Sequence, residues 1–230
     1  MLIICDHRLP ASMRPALEAM GEVVWFHGPD VYNAISGHPD IFVCLLPEQL
    51  VVAPNMPQEV LRKFNQHKIA FVIGEKPAGN SYPESVRFNA LAAHGLFIHN
   101  LSHTDPVLLK ETGTLKPVHV RQGYVRCNLL SLPDGSFITS DSGILKTLSC
   151  TGSEVYYFNP EGIRLEGFGY GFLGGTAGWN GSTLVFAGHP RHLKEGEQLM
   201  ELLHQKNISW VSLSDEPLWD AGGLFFLEKN

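Results

Sequence analysis

Five short phrases recur along the chain at intervals of roughly 40 to 50 residues, and each ends in a polar residue or glycine. They read His38-Pro39-Asp40, Arg87-Phe88-Asn89, Arg126-Cys127-Asn128, Phe172-Leu173-Gly174 and Leu218-Trp219-Asp220. If the repeats close into a ring, Asp40, Asn89, Asn128 and Asp220 meet in one central pocket, with space beside Gly174. Two carboxylates and two amides in such a pocket would bind a small polar molecule, either a cationic or a hydroxyl-rich one.

Two arginines stand two residues before the amides of these phrases. If the phrases are strands, Arg87 shares a sheet face with Asn89, and Arg126 shares one with Asn128. The arginines would then pair with the carboxylates or bind a substrate carboxylate through two parallel hydrogen bonds. The alternative is purely structural: Asp and Asn cap strand ends, and the arginines neutralise them.

Three further side chains are candidates for the same pocket. Thr176 lies in the glycine-rich run 174–178, which does not open a helix and lacks the following Lys-Ser/Thr of a phosphate loop. We expect its hydroxyl to point into the pocket. His189 follows a predicted strand and is a candidate for proton transfer. Strand alternation directs Cys127 away from Arg126 and Asn128, which favours a buried core thiol over a nucleophile.

The elements around these phrases follow one order. After each of the first four phrases come two β-like runs, a helical stretch and another β-like run. The predicted helices cover 57–67, 105–112, 142–150 and 194–205, and the turns Pro133-Asp134-Gly135 and Asn180-Gly181 predict hairpins. This pattern predicts an α/β fold: a five-bladed α/β propeller of ββαβ repeats, in a single domain spanning residues 1–230.

The two ends of the chain complement each other. The last phrase is followed only by strand-forming residues, whereas residues 1–26 supply a strand, a helix and a strand before the first phrase. We therefore predict that the last blade is closed by the N- and C-terminal segments, with the C-terminal strand beside residues 2–6. Such closure leaves no unpaired sheet edge.

The main alternative fold is an open α/β sheet, because residues 1–26 alone resemble the first βαβ unit of a hydroxyacid dehydrogenase. That interpretation does not explain why hairpins alternate with helices. The expected Gly-x-Gly-x-x-Gly after a strand is also missing.

Composition narrows the class of function. A hydrophobic content of 44%, a charged content of 17% and a net charge of −6 are ordinary for a folded protein and give no basic surface for nucleic acid or for an anionic membrane. The four cysteines are far apart and show no metal-ligand spacing. No signal-peptide pattern precedes the first strand. We expect a cytoplasmic protein with reduced thiols, no metal and no cofactor, and the sequence leaves the oligomeric state open.

The phrases GHPDIFVC, RCNLLSLPDGSFITSD, GFLGGTAGW and LWDAGGLFFLE, within repeated ββαβ units, resemble the guanidino-group-modifying enzymes, or penteins. These enzymes are α/β propellers and include arginine and agmatine deiminases, dimethylarginine hydrolase and amidinotransferases. The phrases are most similar to an uncharacterised bacterial branch that shares the fold but has no assigned reaction.

The resemblance also implies where catalytic groups should stand. Family enzymes carry a nucleophilic Cys in the last repeat, a proton-transferring His in the preceding repeat and two carboxylates that hold the substrate cation. Here the position of the nucleophile falls near Phe225–Leu227, and that of the His maps onto 175–178, so the usual pair is expected to be missing.

The sequence therefore predicts a pentein-like protein that binds a small polar, or cationic, molecule without the Cys-dependent guanidine chemistry of the family. Two alternatives stay open. One is a hydrolase or deiminase acting on a guanidino or related C–N bond through Cys127 or His189. The other is a non-catalytic structural or interaction protein.

Overall fold

Five three-stranded sheets make up the molecule in a computed structural model, which describes residues 1–228. The strands are β1 (Leu2–Asp6), β2 (Glu22–Phe26), β3 (Val43–Leu45), β4 (Leu50–Val52), β5 (Phe71–Ile73), β6 (Leu91–Ala93), β7 (Leu96–His99), β8 (Lys116–His119), β9 (Leu129–Ser131), β10 (Phe137–Thr139), β11 (Val155–Tyr157), β12 (Ala177–Asn180), β13 (Thr183–Phe186), β14 (Trp210–Ser212) and β15 (Phe225–Leu227). The helices are α1 (Arg14–Glu18), α2 (Gln58–Gln66), α3 (Pro106–Glu111), α4 (Val125–Asn128), α5 (Ser142–Ser149) and α6 (Gly196–Gln205).

Each sheet combines one antiparallel and one parallel pair of strands. In blade 1 (β3–β5), β3 pairs antiparallel with β4 across a short turn, and β4 pairs parallel with β5 after α2. Parallel neighbours need a long crossover, and the helix provides it. Blade 2 (β6–β8), blade 3 (β9–β11) and blade 4 (β12–β14) repeat the arrangement with α3, α5 and α6. The predicted ββαβ repeat is confirmed.

The closing blade consists of β15, β1 and β2 and joins the two ends of the described chain. Leu2 is opposite Leu227 and Ile3 is opposite Phe226 in an antiparallel pair, while β1 runs parallel to β2 across α1. All five residues of β1 are buried. The predicted closure by N- and C-terminal segments is confirmed.

Three of the recurring phrases reach into helical turns, and this corrects the prediction that they begin strands. Asn89 and Asp220, in the other two phrases, lie outside helices and strands. Pro39–Ile41 and Gly174–Thr176 are single 3-10 turns, and α4 covers Val125–Asn128, so β9 begins only at Leu129. Residues 170–173, before the glycine-rich run, are loop. Close packing around the centre explains the glycines there: a Cβ on Gly174 would lie 2.5 Å from the Arg126 carbonyl oxygen, and one on Gly175 would lie 1.9 Å from Asp220 Oδ1.

The crossover helices pack against the sheets through apolar stripes. On α2 the buried residues are Val60, Leu61 and Phe64, as the i, i+1, i+4 spacing predicts. Phe64 is fully buried, which contributes about 1.5–3 kcal/mol. Among residues 1–228, no helix has the length and apolar character to cross a membrane.

Candidate functional site

Helical turns from different blades bring a histidine, a carboxylate and a thiol together at the centre of the ring. His38 and Asp40 belong to the turn before β3, and Cys127 belongs to α4, before β9. One donor atom from each of these three side chains lies within 4.8 Å of the others, and all three residues are buried. The centre of the molecule is therefore a compact group of titratable side chains.

Asp40 is the most enclosed member of this group. Its side chain is fully buried, its Oδ2 accepts a hydrogen bond from Cys127 Sγ at 2.8 Å, and its Oδ1 has no protein partner. Burial raises the pKa of Asp40 to about 6, although nearby His38 acts in the opposite direction. One carboxylate oxygen is thus free for a ligand.

Cys127 is held by Asn89 as well as by Asp40. The Asn89 amide nitrogen lies 3.3 Å from Cys127 Sγ, and Asn89 Oδ1 accepts a hydrogen bond from the Cys127 backbone N–H at 3.3 Å. Burial, followed by the neighbouring Asp40 carboxylate, raises the pKa of Cys127 well above the usual thiol value. The resting group is a thiol. The prediction that it is buried is confirmed, and its sulfur lies beside the Asp40 carboxylate.

His38 lies between two further carboxylates. Its Nε2 is 3.8 Å from Asp6 Oδ2 and its Nδ1 is 4.0 Å from Asp220 Oδ1, but neither nitrogen has a hydrogen-bond partner. Asp220 is fixed by two backbone N–H groups, from Phe172 at 2.8 Å and Gly222 at 3.0 Å. Burial raises the pKa of Asp220.

Asp6, in contrast, already has a cationic partner. Arg8 donates to both of its carboxylate oxygens, at 3.0 and 2.7 Å, and also binds the backbone carbonyls of Asn33 and Ala34. This two-point ion pair neutralises Asp6 within the protein. Among the described residues, Asp40 and Asp220 have no such lysine or arginine partner within 4.0 Å.

A pocket of about 290 Å³ opens from this centre to the surface. Its inner wall contains His38, Cys127 and Asp220. Its outer wall is aromatic: the Tyr32 and Tyr124 hydroxyls lie 3.0 Å apart, and Phe168, which is 54% exposed, approaches the Tyr32 ring with a centroid distance of 6.5 Å. The pocket thus combines buried negative charge with flat apolar surfaces.

Three of the sequence-predicted residues hold the central turns together. Arg126 donates to the backbone carbonyls of Gly174 at 2.7 Å and Ala177 at 3.2 Å, and its guanidinium lies 5.4 Å from the centre of the Phe225 ring. Asn128 donates to the Tyr124 carbonyl at 2.9 Å. Thr176 donates to the Leu173 carbonyl at 2.8 Å, so its hydroxyl bonds to its own turn. Arg126 lines a second, mainly apolar cavity of about 180 Å³.

Two other predicted residues lie away from the central pocket. Arg87 follows a 3-10 turn (Glu84–Val86), and its guanidinium donates to the Pro77 carbonyl and faces Glu84 at 3.8 Å. The predicted shared sheet face with Asn89 is wrong because this segment is not a strand. His189 Nδ1 accepts from the Arg191 backbone N–H at 3.2 Å, and its ring meets Trp210 edge-on at 5.5 Å.

The chain matches one known protein family over nearly its whole length. The chain matches the model of DUF6873, a family of unknown function, over residues 4–225. It belongs to the DUF6873 family. A comparison with curated proteins gives no match.

Several solved structures are similar in fold over most of this chain. DDAH from Pseudomonas aeruginosa, a mutant complexed with citrulline, is 10% identical with a TM-score of 0.57, over 93% of this chain and 92% of that one. SxtG, an amidinotransferase from Microseira wollei, is 11% identical with a TM-score of 0.54, over 92% and 87%. The inosamine-phosphate amidinotransferase StrB1 from Streptomyces griseus is 12% identical with a TM-score of 0.51, over 90% and 76%. The DUF6873 chain therefore has the pentein α/β-propeller fold.

In this DUF6873 protein, sequence reasoning missed His38, Tyr32 and Tyr124 as pocket residues. His38 opens the first recurring phrase, so the repeat itself marked its position. The tyrosines lie outside the phrases and reach the pocket from loops, where no periodicity indicates direction. The expectation that the usual family pair is missing stays a prediction.

Proposed function

We propose that this protein binds a small organic cation, such as an amine, amidine or guanidine, in its central pocket. The observation that carries the proposal is the pair of buried carboxylates without a strong cationic partner. Among residues 1–228, no Lys or Arg nitrogen lies within 4.0 Å of Asp40 or Asp220, whereas Arg8 pairs with Asp6. A buried carboxylate is costly unless it is paired or protonated, so a bound cation would stabilise both.

The aromatic wall supports the same class of ligand. Tyr32, Phe168 and Phe172 all line the pocket that Asp220 faces. Aromatic faces attract cations, by about 0.5–2 kcal/mol depending on desolvation. A flat cation would contact the rings with its face and the carboxylates with its N–H groups. The similar solved structures include a dimethylarginine dimethylaminohydrolase and an amidinotransferase, whose names refer to a guanidine and to an amidine group, and this agrees with the proposed class of ligand.

A thermal-shift titration tests the proposal. The panel contains guanidines, amidines, amines, amino acids, sugars and nucleotides, each tested on the parent, Asp40→Asn, Asp220→Asn and Arg87→Gln. We expect cations alone to raise the melting temperature of the parent, and a ligand at one hundred times its Kd stabilises by about 2.7 kcal/mol. The two Asp variants should lose the shift, and Arg87→Gln, outside the pocket, should keep it. If no class shifts the parent, an interaction protein is the better interpretation.

A second candidate function is hydrolysis of a C–N bond, and the position of Cys127 favours it. Its sulfur lines the pocket and lies 2.8 Å from Asp40 Oδ2, which would accept the thiol proton. The thiolate would bond to the electrophilic carbon, the C–N bond would break as the amine leaves with a proton, and water would then cleave the C–S bond and restore the thiol. His189, which lies elsewhere, takes no part in this scheme.

Product analysis separates the two functions. Ammonia, urea or an amine released from a guanidino or amidino substrate by the parent, and not by Cys127→Ser, would support the hydrolase. Cys150→Ser is the matched control, because Cys150 is exposed at the end of α5 and is not among the residues that line the pocket. If the parent binds the substrate and releases no product, the hydrolase is excluded and the binding function is supported.

A further inference from the structure

We infer that His38, Asp40 and Cys127 form a binding site for a thiophilic divalent cation, with Zn²⁺ the best match. Imidazole nitrogen, thiolate sulfur and carboxylate oxygen are the three donor types that zinc takes in proteins. The inference does not rest on the organic ligand proposed above. Both ligands would use Asp40, so we expect each to exclude the other.

The donor geometry is close to what zinc requires. Tetrahedral zinc with bonds of about 2.0–2.3 Å holds its donor atoms about 3.3–3.8 Å apart. Here the three donor atoms lie within 4.8 Å of one another, and Cys127 Sγ and Asp40 Oδ2 are 2.8 Å apart. Movements of about an ångström in side chains would complete the geometry, and no change of blade packing is needed.

The unpartnered atoms are the second, independent observation. Both ring nitrogens of His38 and Oδ1 of Asp40 are buried and have no hydrogen-bond partner. Buried polar atoms are nearly always paired, because an unpaired one costs about 1–3 kcal/mol. Three such atoms lie in one small region. A bound cation would accept the lone pair of one His38 nitrogen and that of Asp40 Oδ1, and the second His38 nitrogen would keep its N–H.

The surroundings of His38 suit a metal ligand. Metal-bound histidines usually donate their second ring N–H to a carboxylate, which fixes the ring. Asp220 faces Nδ1 at 4.0 Å and Asp6 faces Nε2 at 3.8 Å, so a carboxylate stands beside whichever nitrogen is left. Asp220 is itself held by the backbone N–H groups of Phe172 and Gly222.

Charge and access also fit. When a divalent cation binds, Cys127 releases its proton, and the thiolate together with the Asp40 carboxylate balances the ion. His38 and Cys127 line the pocket, so a fourth ligand position would face its interior. The sequence alone predicts no metal, because His38 and Cys127 are far apart in the chain. They lie in different repeats and come together only when the ring closes.

Cobalt titration of the chelator-treated full chain tests the site, because Co²⁺ replaces Zn²⁺ and its bond to a thiolate gives a charge-transfer absorption band. We expect the band in the parent and in Cys150→Ser, and its loss in Cys127→Ser. Asp40→Asn should bind at least about tenfold more weakly. Absence of the band in the parent, or its persistence in Cys127→Ser, would overturn the inference.

Two additions keep the test decisive. If Cys127→Ser does not fold, Zn²⁺ protection of Cys127 from alkylation in the parent, located by peptide mass, replaces it, and failure to protect counts against the site. Asp220→Asn separates this inference from the proposed function. It should lose the thermal shift with organic cations but keep the cobalt band, because Asp220 is not among the three ligands.

Discussion

At the scale of single residues, His99 shows how burial is converted into pH dependence. Its ring contacts Thr104 Oγ1 at 2.6 Å and donates from Nε2 to the Gly123 carbonyl at 3.1 Å. Burial lowers the pKa of His99 to about 4. The unfolded chain, with an ordinary histidine pKa near 6.5, binds the proton more readily, so stability is complete above about pH 6.5 and is lost as the pH falls towards 4.

We therefore expect the unfolding free energy of His99→Gln to fall less steeply than that of the parent as the pH decreases. Between pH 7 and 4.5, the parent should lose about 2–3 kcal/mol more unfolding free energy than the variant. Urea unfolding at several pH values measures this difference. His204→Gln, which changes an exposed histidine on α6, should follow the parent. A parallel fall in parent and His99→Gln would contradict the assignment.

The candidate site was predictable in part at this scale. Repetition alone indicated that Asp40, Asn89 and Asp220 face the centre, and they lie around Cys127 and His38. The contact of Cys127 with Asp40 was not predictable, because the period-2 rule for strands does not apply to the helical turn α4. Nothing within the phrase distinguishes one helical turn from a strand start.

At the scale of elements, helix caps differ in how much structure they hold. Asp105 caps α3 by accepting from the Val107 and Leu108 N–H groups, and it also accepts from the Glu75 and Lys76 N–H groups of a neighbouring loop. Asp141 caps α5 through the Ile144 N–H and accepts from the Gln122 side chain. The first cap thus joins two blades, whereas the second serves mainly its own helix.

Substitution should reveal the difference. Asp141→Ala removes an ordinary cap and should cost about 1 kcal/mol of unfolding free energy. Asp105→Ala also removes the hydrogen bonds that the Glu75 and Lys76 N–H groups donate to a carboxylate, and should cost about 3 kcal/mol or more. Urea unfolding at neutral pH measures both, and equal losses would show that the loop contacts of Asp105 contribute nothing. Asp105→Asn, which keeps one acceptor oxygen, should fall between them.

The elements were largely predictable because their ends carry local chemistry. The turn at Gly135, with a φ of +91°, requires glycine, and the hairpin of β9 and β10 lies where Pro133-Asp134-Gly135 predicts it. Helix α5 begins directly after Asp141, a residue type that commonly caps helices. The predicted starts of the strands next to the recurring phrases were wrong. Contacts between blades, such as that of Arg126 with Gly174, override local preference there.

At the scale of the whole molecule, the closing blade is equivalent to the other four. Strands β15 and β1 form an antiparallel pair, with Leu2 opposite Leu227, that corresponds to the hairpin of β6 and β7. In that hairpin, Ala93 is opposite Leu96 and the turn consists of His94 and Gly95. Complementary partial repeats at the two ends predicted this arrangement. The sequence could not indicate the pocket volume, since that depends on how the loop around Phe168 packs beside Tyr32.

Circular permutation tests this equivalence. Joining the ends near Leu2 and Leu227 by a flexible linker and opening the chain between His94 and Gly95, both exposed, breaks no strand pairing. We expect this permutant to keep the circular-dichroism spectrum of the parent and a single cooperative unfolding transition. Opening instead between Phe97 and Ile98, both fully buried in β7, interrupts a strand and should abolish cooperative unfolding. If neither permutant unfolds cooperatively, the closing blade is not equivalent to the other four, and the prediction is wrong.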